Sequence, residues 1–382
     1  MAGQPTTRRT FLGTAAGGAG AALTACAPVA PSPSADSAGP ASGAQTWEQE
    51  WADLTAAAKR EGHLVMVTAI GISYTQAVDA FMKAFPGIEV EHQQTEVTKF
   101  APKAIQEAKS GIFAYDVSMS GHAPGAAVLY TQGRVDPVRE QIFRPDVTDD
   151  ASWHGGFERG FPDQDQKWCY STCSVVMRSL WIDTNQVKPD EIKTIEDLLQ
   201  PKWKGKIISG DPRSVGSGGS PGTALRAFYG DDIIKRLWKD QEVVLSVDLR
   251  QITESVVRGR YPVGIGVNDV LLQEFLAQGV GKNVMPIEIP HMNTINSSQS
   301  VIYVYKQRPN PNAARLFINW YLSKEGQTTW TSFTKNNSRR TDVPPMRPEL
   351  QPDPSREYYN TETWKSLEEY ANTYALAQKI LT

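Results

Sequence analysis

Cysteine is scarce, with three in 382 residues, and histidine is nearly as rare, with five. No CxxC pair occurs and no histidine stands at zinc-ligand spacing, which argues against a structural or catalytic zinc site. Excess charge is also missing. Lys plus Arg number 39 against 42 Asp plus Glu, a net of −3, and no basic stripe emerges, so the electrostatic footprint of a nucleic-acid binder is absent. Beyond the N-terminal segment no apolar run reaches bilayer length, so the body reads as soluble. What is there is 40% hydrophobic and 21% charged, the balance of a globular protein with a sizeable core. The length suggests two or three domains. Ten tryptophans imply large aromatic surfaces that are either buried or bind something.

Residues 1–25 read as an export signal. Arg8-Arg9 forms a charged start, and the Ala/Gly-rich stretch to Ala25 is too short and glycine-rich to span a bilayer. TRRTFL resembles the twin-arginine export motif. Leu23-Thr24-Ala25-Cys26 resembles a bacterial lipobox, which implies cleavage before Cys26 and a lipid anchor on its thiol. Residues 26–45 are rich in Pro, Ser, Ala and Gly and read as a flexible tether. The alternative is a secreted protein in which Cys26 is incidental. Cys169 and Cys173 lie in WCYSTCSVVM, an alternating, β-rich segment. Four extended residues span roughly 13 Å, too far for a disulfide, so both are expected as buried thiols unless the chain turns sharply there.

The body alternates strands and helices. An apolar stripe at 47, 51, 54 and 58 predicts a helix stopped by Gly62, and HLVMVTA from His63 predicts a strand buried on both faces. A helix to Phe85, a strand from Ile88, a helix Phe100–Ser110 and a strand Tyr115–Ser120 complete a first α/β block. A second block follows between Ile192 and Ile289, with strands at Lys206–Ser209, Val243–Val247, Pro262–Val267 and Val284–Ile289. Helices are expected at Thr223–Phe228, Leu249–Arg260, Asp269–Gln278, Asn312–Ser323, Lys324–Thr334 and Arg356 to about Lys379. Long extended segments near 170–180 and 290–305 suggest two lobes joined by paired crossings.

The best-marked stretch is PKWKGKIISGDPRSVGSGGSPG, Pro201–Gly222: a strand, a loop of Gly, Ser, Asp and Arg, then a helix start. Free N–H groups at such a start suit a polar or anionic ligand, although an ordinary βα turn uses the same residues.

Five segments in order give the chain a wider resemblance: YDVSMSGHAPGAAVLYTQGRVDPV, DLLQPKWKGKIISGDPRSVGSG, RGRYPVGIGVND, SVIYVYKQRPNPNAARLFINWYLSKEGQ and SRRTDV. Together they resemble the extracellular solute-binding proteins of ABC importers, in the subgroup of ferric-ion, thiamine and phosphonate binders. The resemblance implies an α/β, two-lobed periplasmic-binding-protein-like (type II) fold with a hinge of two crossing strands. Lobe 1 is then expected at 46–172 plus 292–340, and lobe 2 at 173–291 plus 341–382. It implies a monomer that binds a small-molecule ligand between lobes and hands it to a transmembrane permease. The location would be the periplasmic or extracellular face of the membrane, held through Cys26. No cofactor, resident metal, nucleic-acid partner or catalytic residue is implied.

Candidate ligand contacts follow from strand ends and helix starts. Ser73 and Tyr74 follow the first strand, with Ser73 alternatively an N-cap. Ser120, Gly121 and His122 end the third strand. Tyr170 lies at a crossing and either closes on ligand or packs in the core. Asp211, Arg213, Ser214, Gly216 and Ser217 form the central loop, where Arg213 offers a fork for an oxyanion unless Asp211 pairs with it. Asn268 and Asp269 open a helix, by resemblance at a ligand position and otherwise as a cap. Ferric-ion members carry two adjacent tyrosines after that strand; here the residues are Val270-Leu271, which disfavours direct iron binding. An anionic or zwitterionic organic ligand is expected, with ferric ion or a polyamine as alternatives and a sensory receptor as a variant role. A rival class is an exported serine hydrolase, since GGSPG at Ser220 matches GxSxG. However, the strand ends about ten residues earlier and Pro221 lacks the N–H that an oxyanion hole needs.

Overall fold

The computed structural model describes residues 46–95, 97–121, 127–214 and 218–381. Cys26 and the leader lie outside the described residues, as do His122, Gly216 and Ser217. The first helix, Trp47–Glu61, shows how local chemistry sets its ends. The Thr46 hydroxyl oxygen accepts from the Gln49 N–H at 3.3 Å, and Gly62 stops the helix in the left-handed region at φ 67°. Glu48 and Glu50 sit at the positive end of the helix dipole, with Lys59 and Arg60 at the negative end. Strand β1 (His63–Thr68) follows and is buried from its second residue onward. In chain order come β2 (Glu89–Gln94), β3 (Val117–Ser120), β4 (Val135–Asp136), β5 (Cys169–Ser171), β6 (Val175–Met177) and β7 (Leu180–Asp183). They are followed by β8 (Ile207–Gly210), β9 (Val244–Ser246), β10 (Val263–Ile265), β11 (Val284–Ile287), β12 (Thr294–Asn296), β13 (Val301–Tyr305) and β14 (Tyr359–Asn360).

One sheet has the order β2-β1-β3-β13-β4, with β5 also paired to β13. β1 is parallel to β2 and β3, whereas β13 returns antiparallel to β3. A second sheet has the order β11-β7-β10-β8-β9; β8 is parallel to β9 and β10, and β7 is antiparallel to β10 and β11. The chain crosses between the sheets through β5-β6-β7 and again through β11-β12-β13. These passages hydrogen-bond to each other, with Thr294 opposite Met177 and Asn296 opposite Val175. β14 adds a third strand to this joint, parallel to β12. The architecture is the two-lobed, type II periplasmic-binding-protein-like fold.

Both faces of each large sheet are packed. Alternation along β1 sends Leu64 and Met66 into a cluster with Phe81, Phe317 and Trp320, and sends Val65 and Val67 into another with Phe100 and Tyr115. In the second sheet Ile207 joins Leu225, Trp238 and Val263, while Ile208 joins Ile252, Val256 and Phe275. Each such side chain contributes about 1.5–3 kcal/mol on burial, against about 0–1 kcal/mol for an exposed ion pair, so apolar packing carries the stability. Trp153, Trp181, Trp238, Trp320 and Trp330 are among the largest fully buried side chains, which answers for half of the tryptophans. Cys169 and Cys173 are free, buried thiols. Among the described residues, no helix is long and apolar enough to cross a membrane.

Two helices start four or more residues from where they were expected. Helix Gly219–Tyr229 begins four residues before Thr223, because Pro221 falls in the first turn, where its missing N–H has no intrahelical acceptor to lose. The last helix is Trp364–Ile380 rather than starting near Arg356. Thr363 caps it, accepting from the Ser366 N–H at 3.2 Å, and the preceding residues supply β14 instead.

Candidate ligand-binding cleft

A cleft of ≈ 530 Å³ opens where the carboxyl end of β10 faces the hinge strands and the end of helix Lys324–Thr334. Its walls include Met177 at the end of β6 and Arg178 just after it, Ser220 and Pro221 in the first turn of helix Gly219–Tyr229, and Leu249 at the start of helix Leu249–Val257. Asn268 and Asp269 at the start of helix Asp269–Ala277 line it too, with Thr294 and Asn296 from β12, Lys335 and Arg347. Three helix N-termini therefore abut one cavity. Asp248 and Asn268 cap two of them, accepting from Arg250 and Gln251 N–H and from Leu271 N–H respectively. Gly218 caps the third without a side chain.

Charge in the cleft is lopsided. Arg178 and Arg347 meet the Asp269 carboxylate, and Lys335 lines the cleft with its Nζ donating to Ser332 O at 2.5 Å. Among the described residues, even with Glu349, which accepts from Arg347 Nε at 3.0 Å, cations outnumber carboxylates. Asp269 Oδ2 accepts from Arg178 Nη2 at 2.8 Å and from Arg347 Nη2 at 3.3 Å. The Arg178 guanidinium lies over the Trp181 ring at 5.3 Å, and its shielded Nε has no acceptor among the described residues. Asn336 donates from Nδ2 to Ser298 O and Ser300 Oγ, and Ser298 and Gln299 both adopt positive φ, so the turn after β12 is held against the helix Lys324–Thr334 end.

A family model for bacterial extracellular solute-binding proteins matches residues 64–333. The chain belongs to this family. Membership makes the protein a substrate-capturing one of the kind that serves ABC transporters. The iron-bound HitA of Pseudomonas aeruginosa superposes with a TM-score of 0.60 at 16% identity, over 83% of this chain and 99% of that one. Trichodesmium IdiA (FutA), solved with iron and citrate, gives 0.63 at 19% over 83% and 99%, and a Bordetella ferric binding protein gives 0.63 at 16% over 83% and 98%. At such identities these likenesses establish the fold. An uncharacterized protein of Haemophilus influenzae is 29% identical over 150 residues, so the match spans 38% of that relative's length and 35% of this chain.

Within this solute-binding protein the residues singled out from sequence are not gathered in one place. Asn268 and Asp269 line the cleft. Ser73 and Tyr74 lie in the first turn of helix Ile72–Ala84; the cap there is Gly71 rather than Ser73, and the Tyr74 ring sits 6.5 Å from Trp330. Burial, followed by the neighbouring Cys173, pushes the Tyr74 phenol up to about 12. Ser120 is buried, with its Oγ 3.2 Å from the Tyr303 hydroxyl, and the Gly121 N–H donates to Gln299 Oε1 at 2.8 Å.

Tyr170 belongs to the core of the β5 sheet, not to the cleft surface. It is 0% exposed and packed among Trp153, Phe157 and Phe161 at 4.9–5.2 Å. Arg213 is spent internally as well: its Nη2 donates to Asp211 Oδ2 at 2.7 Å, its Nε to Oδ1 at 2.9 Å, and its Nη1 reaches Leu381 O at 3.4 Å. Burial alone would raise the Asp211 carboxyl, but the Arg213 guanidinium offsets that and holds it below the usual carboxylate range. Ser214 Oγ donates to Asp211 O, which closes the turn on itself. The glycines of this stretch serve close approach. A Cβ on Gly218 would lie 2.3 Å from Asp211 O, and one on Gly219 would lie 2.1 Å from Ser214 O.

Ser220 lacks a nucleophile's surroundings. Its Oγ hydrogen-bonds the Tyr370 hydroxyl, and His291 stacks on Phe228, eight residues or about 12 Å along the helix. Arg178, Arg347 and Lys335 were not foreseen. Arg178 had a signal, as the one charge between the apolar runs CSVVM and SLWI. Arg347 had none, because it lies among prolines in PPMRPEL and meets the cleft only through tertiary contacts.

Proposed function

We propose that this protein is a membrane-tethered substrate-binding subunit of an ABC importer that captures a small organic anion or zwitterion. The observation that carries the reading is the excess of cationic side chains, Arg178, Arg347 and Lys335, around one carboxylate in a cleft large enough for a small organic molecule. Arginine forks suit carboxylate, phosphonate or sulfonate groups, and the side-chain-free cap of helix Gly219–Tyr229 adds favourable N–H dipoles. Twin-arginine export and a lipid on Cys26 complete the proposal: the folded body is delivered to the outer face of the membrane and stays there as a monomer.

The solved structures compared above are iron-bound or ferric-binding proteins, and iron is therefore the second reading. It is less favoured because the described cleft lining holds no tyrosine, histidine or cysteine and one carboxylate. Mass spectrometry of whatever small molecule co-purifies with the mature protein, followed by calorimetry with carboxylates, phosphonates, sulfonates, polyamines, Fe³⁺ and ferric citrate, tests the assignment. Binding to a plain cation alone would overturn it.

A further inference from the structure

We infer that Asp269 is a built-in competitor for the captured anion: its carboxylate already neutralises the two guanidiniums that the solute needs, and it sets the affinity of the cleft. The inference rests on the reading of the cleft as an anion site.

The geometry is specific. Nε and Nη2 form one edge of a guanidinium, the edge that takes a carboxylate or phosphonate through two parallel hydrogen bonds. On Arg178, Nη2 is taken by Asp269 Oδ2 at 2.8 Å while Nε, shielded from solvent, has no acceptor among the described residues. Nη2 carries two N–H groups and Asp269 takes one of them, so an anion that binds Nε and the other must approach a carboxylate already paired with the same guanidinium.

The same Oδ2 also accepts from Arg347 Nη2 at 3.3 Å, so one oxygen serves two guanidiniums. They arrive from different parts of the molecule. Arg178 is fixed where β6 runs into β7, its carbonyl accepting from Trp181 Nε1 at 3.1 Å. Arg347 is fixed through its N–H to Asn337 Oδ1 at 2.7 Å, in a segment whose Ser338 donates to Gln327 and whose Arg340 donates to Leu322 O. Asp269 therefore bridges the lobe of helix Asp269–Ala277 to the segment packed on the opposite lobe, standing where a solute's anionic group would do the same.

Asp269→Asn keeps the shape and removes the competing charge. Calorimetry with methylphosphonate and inorganic phosphate, neither of which carries an ammonium, is expected to give at least about fivefold tighter binding than the natural protein, the scale of one unit charge a few ångströms away. Asp269→Ser, at the same helix position, gives the same direction and guards against a folding defect peculiar to one variant. Arg178→Gln, run in parallel, separates the two claims. If Arg178→Gln abolishes binding but both Asp269 variants bind equally or more weakly, the competitor role falls and the anion site stands. If Arg178→Gln changes nothing, or neither anion binds any of the proteins, the anion site falls and the inference with it.

Discussion

Replacing Arg178 by Lys and by Gln distinguishes a fork from a point charge. Arg178 is only 17% exposed at its side chain and stacks on Trp181, so its position is preset before any solute arrives. A bidentate anion on its Nε/Nη2 edge gains two charge-assisted hydrogen bonds, each worth about 1.5–3 kcal/mol when removed. Lysine keeps the charge and one strong donor, losing about one such bond. The expected outcome is a Kd about 10- to 100-fold higher for the anion that binds best in calorimetry. Glutamine keeps one neutral donor and loses the charge, and at least about 100-fold is expected. Raising sodium chloride should weaken the natural protein more than Arg178→Gln, since the missing charge has nothing left to screen. A Lys variant indistinguishable from the natural protein would refute two-point recognition. A Gln variant equally unchanged would remove Arg178 from the site.

The buried thiols make stability fall in alkali. Burial raises the Cys169 thiol well above its ordinary value and pushes Cys173 up to about 12, so the folded state keeps protons that the unfolded chain sheds from about pH 8.5. Stability is then full below that pH and drops by about 1.4 kcal/mol per pH unit per thiol above it. Urea melts of the double serine variant should lack that slope between about pH 8.5 and 10, below the range where the buried tyrosines add their own. Gly219→Ala forces a Cβ to 2.1 Å from the Ser214 carbonyl oxygen, a backbone atom that has no rotamer to escape into. A loss of about 3 kcal/mol in denaturant melts is expected, and an unchanged midpoint would contradict the packing. Cys26→Ala should move the mature protein from the membrane to the soluble fraction, and continued membrane retention would exclude a lipid anchor there.

Sequence made the body of the fold legible where periodicity was strong. β1 announced itself by an unbroken apolar run, and its two faces, Leu64/Met66 and Val65/Val67, do enter different cores. The crossings near 170–180 and 290–305 were visible as extended segments, but their mutual pairing and the third strand at Tyr359–Asn360 were not, since a two-residue strand has no period. The site was legible only in part. Asn268 and Asp269 sit directly at a strand-to-helix junction, a position that local pattern identifies. Arg213 had the right chemistry in the right loop, yet Asp211 two residues away takes its fork, a pairing that composition offers and only geometry decides. Arg347 reaches Asp269 across 78 residues of chain, and no local pattern encodes such a meeting.

The same separation of fold from site lets this chain share an architecture with iron-binding proteins while the proposed ligand is an anion. The type II fold supplies strand ends and helix starts around a gap, which is a general invitation to a polar ligand. The side chains on those ends decide the sign of its charge. A trivalent cation about 5 Å from a guanidinium or ammonium is repelled by on the order of 2 kcal/mol even at the dielectric constant of water, and by more in a shielded cleft. Arg178 and Arg347 would exact a cost of that order on a cation held beside Asp269, which already bridges the two. An anion is instead attracted by each guanidinium and supplies an acceptor to Arg178 Nε, which has none among the described residues.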